Sequence, residues 1–252
     1  MKPMRRALHV GAMIAGIAFL LLLTSGTAGA AALGSSGVNV VSVVPTRGEV
    51  VGVAQPVVVK FAGPVPNRAA AEGTIAIASP TGSLGRFEWL NSQLVQWVPE
   101  TAWPAHSRVK VAAGDLSTSF ETAAAVLSVA DISAHTFTVS IDGQVVREMP
   151  ASMGKSGFDT PVGTFKVLEK QRSVMFDSRT IGIPLDDPEG YLIKGEYAVR
   201  ITWGGVYVHS APWSVGSQGN TNVSHGCINL SPDNAAWYFD TVRTGDPVIV
   251  QS

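Results

Sequence analysis

The sequence predicts a mainly β chain: a β-sandwich, then a second β-rich domain with one clear helix near the C-terminus. Three observations carry this. From Val38 to about Phe120, short apolar stretches alternate with Gly, Pro, Ser and Asn, and turn signals recur every 8–12 residues. No helical period persists there. Only Ser231–Gly245 has both an apolar helical stripe and the residues that start and stop a helix.

The chain opens on a different kind of text. MKPMRR supplies Lys2, Arg5 and Arg6, an apolar run follows, and TSGTAGAAA offers small-residue cleavage sites after Ala30 or Ala32. Residues 1–32 therefore read as an export signal, with an uncleaved membrane anchor as the alternative. The apolar run is near the short end for crossing a bilayer, which takes about 20 residues. Without the three basic leader residues, 15 Lys and Arg face 19 Asp and Glu, a net charge of −4. That balance is no footprint for nucleic acid. Cys227 is the only cysteine, so no intramolecular disulfide is possible and packing must supply stability.

Residues 33–122 are assigned to the sandwich. VAQPVVVKF, GTIAIAS, GRFEWL, QLVQWVP and SRVKVAAG each read as a strand, with the clearest alternation in 86–90 and 94–98. His106 is isolated near a turn and reads as a surface or packing histidine. The small apolar segment 121–133 reads as the passage into the second domain, 123–252. There HTFTVSIDGQVVREMP gives two alternating runs around Asp142-Gly143, a dipeptide suited to the positive φ of a type I′ hairpin turn. GTFKVLEK, EYAVRITW, GGVYVHS and DPVIVQS supply further strands. In the helix Ser231 caps, Pro232 fits the first position, Asp233 faces the positive end of the dipole and Gly245 ends it.

The chemistry concentrates in VHSAPW (208–213) and SHGCINL (224–230), joined by a polar loop. His209 stands at a strand end and Cys227 just before the cap of the helix. A neighbouring imidazolium favours the thiolate, and the same ring can hand a proton to a leaving amine. Ser210 can orient His209 through its backbone carbonyl. Gly226 leaves the backbone open, so that amides at Gly226 and Cys227 can point at a developing oxyanion. A second reading of His209, His225 and Cys227 is three zinc ligands; it lacks a fourth ligand and the usual spacing.

The H-S block followed by S-H-G-C-x-N closely resembles the active-site signature of the L,D-transpeptidases, the YkuD-type enzymes of bacterial cell-wall synthesis. TPVGTF, FDSRTIGIP, GY at 190–191 and HSAPWSVGSQG look like the mycobacterial branch. The resemblance implies an immunoglobulin-like domain before a YkuD-type catalytic domain. It also implies a reaction without metal or cofactor. Cys227 attacks the diaminopimelate carbonyl of a tetrapeptide stem and expels D-alanine; the thioester then passes to a diaminopimelate amine, giving a 3→3 cross-link. His209 is the base and acid, Ser210 its orienting carbonyl, and His225, Gly226 and Cys227 the oxyanion amides. Tyr191, Gly204, Gly205 and Asn229 line the substrate groove, and carbapenems acylate Cys227. The expected place of work is the periplasm or cell wall, with membrane proximity through the leader.

Two other outcomes share the motif. In an L,D-carboxypeptidase water resolves the thioester, and in a non-catalytic wall-binding protein the retained Cys227, His209 and Gly226 have no purpose. Phe176, Ile181 and Gly204 depart from the branch, where Met, Tyr and Ser are common; the first two fall in the expected lid over the site.

Overall fold

A computed structural model describes residues 39–252. The predicted leader lies outside the described residues. None of the described helices is long and apolar enough to cross a membrane. The first half contains β1 (Val40–Val44), β2 (Val50–Val51), β3 (Val57–Phe61), α1 (Arg68–Glu72), β4 (Ile75–Ala78), β5 (Gly85–Trp89), β6 (Leu94–Pro99), β7 (Arg108–Ala113) and β8 (Leu116–Thr122). They form two four-stranded sheets, in the orders β1-β3-β6-β5 and β2-β8-β7-β4. Period-2 alternation turns Val57, Val59, Phe61, Val95 and Trp97 inward from one sheet and Val109, Val111 and Phe120 from the other, into one shared core. This is the expected sandwich. Helix α1 was not expected from AAAEG; Asn67 starts it by accepting from the Ala70 amide at 3.1 Å.

The second half contains β9 (Val126–Asp131), β10 (Thr136–Ile141), β11 (Gln144–Pro150), β12 (Gly163–Lys166), β13 (Glu169–Asp177), β14 (Leu192–Arg200), β15 (Tyr207–Ser210), β16 (Ile228–Leu230), α2 (Pro232–Thr241) and β17 (Pro247–Gln251). One sheet runs β11-β10-β9-β17-β12 and the other β13-β14-β15-β16. Asp142 and Gly143 take φ of 49° and 82°, the backbone that the hairpin between β10 and β11 requires. Most of the small apolar segment 121–133 is not a passage: β9 is a central strand, parallel to β17 and antiparallel to β10. Its Ser128 and Ala130 are fully buried, with Ser128 Oγ donating to Tyr238 Oη of α2 at 3.2 Å. The Tyr238 ring meets Phe137 edge-on at 4.9 Å. Ser231 and Pro232 start α2 as expected, but it stops at Thr241, and Gly245 (φ +90°) turns the chain toward β17 instead.

That turn is where the two cores join. The Gly52 amide donates to Thr244 O at 2.9 Å and the Ala54 amide to Gly245 O at 2.8 Å. A Cβ on Gly52 would stand 2.2 Å from the Asp246 nitrogen, so only glycine fits this approach. Asp246 is fully buried; its Oδ2 accepts from the Arg243 amide at 2.8 Å, and Oδ1 has no partner among the described residues. Burial pushes its carboxyl up to about 7. With the folded value above the unfolded one, its contribution to stability is complete below about 4 and is lost as pH rises through 7. Asp246→Asn keeps an acceptor for Arg243 and removes the charge, at the cost of an unpaired amide. We expect the variant to be more stable than wild type by about 1–2 kcal/mol at pH 8.5. The order should reverse by pH 4, where the carboxyl is protonated in both states and only the unpaired amide remains, as read by urea unfolding; an equal gap at both pH values refutes the assignment.

Candidate active site

β15 and β16 run parallel with Val208 opposite Ile228 and His209 opposite Asn229. Side chains alternate across a sheet, so Val208, Ile228 and Leu230 enter the core while His209 and Asn229 share the other face. Cys227, one residue before β16, falls level with Tyr207 on that same face. All four residues of β15 are buried, because Phe176 and Trp213 cover the face away from the core. The Phe176 ring lies 4.5 Å from the His209 ring and Trp213 lies 6.0 Å from it. Gly195 makes room for Phe176: a Cβ there would stand 2.2 Å from its ring.

This cover sets the electrostatics. His209 is 3% exposed, and its Nδ1 donates to Ser210 O at 2.9 Å. A carbonyl can only accept, so Nδ1 carries the ring proton and Nε2 is left with its lone pair. Burial pulls His209 down to about 4, against the smaller opposing pull of the Ser210 carbonyl. Burial likewise pushes the Cys227 thiol up to about 11, opposed by the Tyr207 amide. The sequence led us to expect an imidazolium sustaining a thiolate. Burial instead keeps both groups neutral at pH 7, a thiol beside an unprotonated base. Sγ points its proton at Gly205 O, 3.7 Å away. No hydrogen bond joins Sγ to the His209 ring among the described residues.

The turn before Cys227 is held from several sides. Ser224 Oγ accepts from the Gly226 amide at 3.1 Å and donates to Cys227 O at 2.6 Å. Thr160 Oγ1 donates to Gly226 O at 2.9 Å. The Ser224 amide donates to Met153 O and the Lys155 amide to Ser224 O, each at 3.0 Å. Gly226 has φ +112°, a conformation that favours glycine. Of the three expected oxyanion amides, Gly226's is occupied by Ser224. Those of His225 and Cys227 donate to no acceptor among the described residues.

A cavity of about 320 Å³ opens over this face. Tyr191, His209, His225, Cys227 and Asn229 line it. Ser210 stands behind, holding the imidazole. Gly205 offers its carbonyl to the sulfur, and neither it nor Gly204 lines the cavity. Asn229 is anchored by its amide to Ser214 Oγ at 3.1 Å. The predicted lid follows β13: Asp177 caps the short turn Ser178–Ile181, and Ser178 Oγ accepts from the Tyr191 amide at 3.0 Å. Phe176 is the last-but-one residue of β13, beneath the lid and against the histidine.

Sequence reasoning missed Lys155, Glu189, Phe158 and Thr160 at this site. Lys155 and Glu189 line the cavity, and Phe158 meets the His225 ring at 4.6 Å. TPVGTF was noticed for its resemblance, yet nothing in it tells that the Thr160 hydroxyl braces the cysteine turn. No cluster of three His, Cys, Asp or Glu side chains suited to a metal ion occurs among the described residues.

Comparison with known proteins bears on this arrangement. Residues 125–250 match the L,D-transpeptidase catalytic domain (YkuD), and residues 30–116 match a bacterial Ig domain. L,D-transpeptidase 1 of Mycobacterium tuberculosis is 59% identical over 212 residues, 84% of each chain. A solved L,D-transpeptidase from Mycobacterium smegmatis is 62% identical, with a TM-score of 0.82 over 85% of this chain and 99% of that one. The LD transpeptidase LdtMt1, solved in complex with imipenem, is 59% identical with a TM-score of 0.81, over 84% of this chain and 99% of that one. A sandwich and a two-sheet domain carrying His209 on β15 and Cys227 just before the neighbouring β16, alike in sequence and shape to these proteins, place this chain in the L,D-transpeptidase family.

Proposed function

We propose that this chain works outside the cytoplasmic membrane, joining peptidoglycan stem peptides through a thioester on Cys227. The observation that supports it best is the locked tautomer of His209: Nδ1–H is held by Ser210 O, leaving Nε2 unprotonated on the face that carries the thiol. Cys227 Sγ attacks the diaminopimelate carbonyl of a tetrapeptide stem while His209 Nε2 takes the thiol proton. The resulting oxyanion sits against the amides of His225 and Cys227, where a preorganised donor is worth about 3 kcal/mol. Collapse breaks the amide bond, and His209 returns its proton to the departing D-alanine amine. A diaminopimelate side-chain amine of a second stem then attacks the thioester and loses its proton to His209. Collapse breaks the C–S bond, and the departing sulfur takes back the proton from His209, which completes the 3→3 cross-link and restores the thiol.

Tyr191 and Asn229 face the donor stem in this reading, and Gly204 and Gly205 shape the hairpin under the sulfur. Gly226 acts through its φ, freeing its neighbours' amides. Carbapenems acylate the same sulfur, a reading supported by the imipenem complex of a relative 59% identical. Residues 1–32 are the export signal or anchor, 33–122 a spacer domain and 123–252 the catalytic domain. Protein spanning 33–252, incubated with disaccharide-tetrapeptide, is expected to release D-alanine and give cross-linked dimer by mass spectrometry. Trimmed tripeptide monomer without dimer makes it an L,D-carboxypeptidase instead, and no product with intact starting material refutes both.

A further inference from the structure

Three segments meet at one carboxylate oxygen. Glu189 Oε2 accepts from Lys155 Nζ at 2.5 Å and from His225 Nε2 at 2.9 Å. Glu189 lies in the 182–191 segment that completes the lid loop between the Ser178–Ile181 turn and β14, Lys155 in the segment after β11, and His225 in the turn that presents Cys227. The Lys155 ammonium foremost, with His225 adding to it, holds the Glu189 carboxyl below its usual range. An ionised carboxylate has no proton to give, so His225 carries its proton on Nε2.

The His225 ring also meets two aromatic rings, Phe158 edge-on at 4.6 Å and Tyr191 tilted at 5.0 Å. Such contacts bound a ring's position but direct it weakly; the bond to Glu189 is the directional one. This joint contributes little to folding, since the Glu189 side chain is 43% exposed and Lys155 31%. What it does fix is where the 225–227 turn sits relative to the lid.

We propose that Glu189 is a positioning residue for acyl transfer: by holding His225 Nε2–H it sets the aim of the His225 and Cys227 amides and ties that aim to the seated lid. Lys155 is the counter-ion that keeps Glu189 turned toward His225. The proposal rests on the oxyanion role given to those amides above.

The test is stopped-flow acylation of the whole protein by imipenem, comparing wild type with Glu189→Ala and Glu189→Gln. We expect Glu189→Ala to lower the limiting acylation rate constant about tenfold with less than about a twofold change in the apparent affinity of the first complex. Glutamine, which still offers an oxygen to Nε2–H, should restore most of the rate. Ring ¹⁵N shifts of His225 should report the Nε2–H form in wild type and in Glu189→Gln, and a tautomer mixture in Glu189→Ala. Wild-type acylation in the alanine variant overturns the proposal, as does a glutamine variant no faster than alanine. The parent reading fails separately: it falls if wild type itself forms no adduct on Cys227.

Discussion

Cys227→Ser is expected to lower imipenem acylation and stem cross-linking by about 10³-fold or more while leaving the fold intact. The size follows from the environment of the sulfur. His209 is pulled to about 4 by burial, which makes it a weak base for a proton held as tightly as an alcohol's. A thiol meets that base part of the way, because sulfur is a good nucleophile even when only slightly ionised. A hydroxyl does not, and a loss of 10³ corresponds to about 4 kcal/mol of barrier. The fold should not suffer: the hydrogen bond that Sγ donates is long, 3.7 Å to Gly205 O, and the turn is held by Ser224 and Thr160 instead. Intact-protein mass after incubation with imipenem should show one adduct on wild type and none on the variant, with melting temperatures within about 2 °C. An adduct formed on the serine variant at the wild-type rate would remove Cys227 from the chemistry altogether.

The residues proposed as nucleophile, base and orienting carbonyl could be picked out because they lie within nineteen residues and share a local logic. A histidine ending a strand, its own next carbonyl, and a cysteine before a cap need no distant partner. The charge state of that pair was not legible. It depends on Phe176 and Trp213 closing over His209, and their contact with the ring arises from the β13–β14 pairing and the 212–214 turn rather than from spacing. The Gly226 amide misled for a similar reason, since nothing in SHGC says that the Ser224 hydroxyl turns back to take it. Lys155 and Glu189 stand 34 residues apart and read in the text as ordinary surface charges. In the fold, the hairpin turn was plain from Asp142-Gly143, whereas β9 was hidden by its Ser and Ala. The polar Ser128 fits a buried strand only because the Tyr238 hydroxyl of α2 reaches it, a pairing 110 residues apart that the text does not show.

His209→Gln carries the second large effect, and it should appear in two measurements. In the proposed role of base and acid, His209 would contribute about 10²- to 10⁴-fold to acylation, and glutamine keeps a hydrogen-bonding side chain there without a basic nitrogen. Wild-type acylation should be level with pH from about 5 to 8, because the base titrates at about 4 and the thiol at about 11. An inflection near 6.5 would mean that the base is solvated, against the burial described. Folding stability gives the independent reading. With the folded value depressed from 6.5 to about 4, the unfolded chain takes up the proton first. The contribution of His209 is therefore complete above about 6.5 and is lost as pH falls toward 4, by about 3 kcal/mol in all. Asp246 has the opposite sign over much the same window, its carboxyl raised from 3.8 to about 7. In wild type the two slopes offset each other, and the stability curve between pH 4 and 7 should look flat. Asp246→Asn should uncover the histidine slope, and adding His209→Gln should level the curve again. A double variant that still loses stability on acidification as steeply as Asp246→Asn would show that His209 is not the group buried in its neutral form.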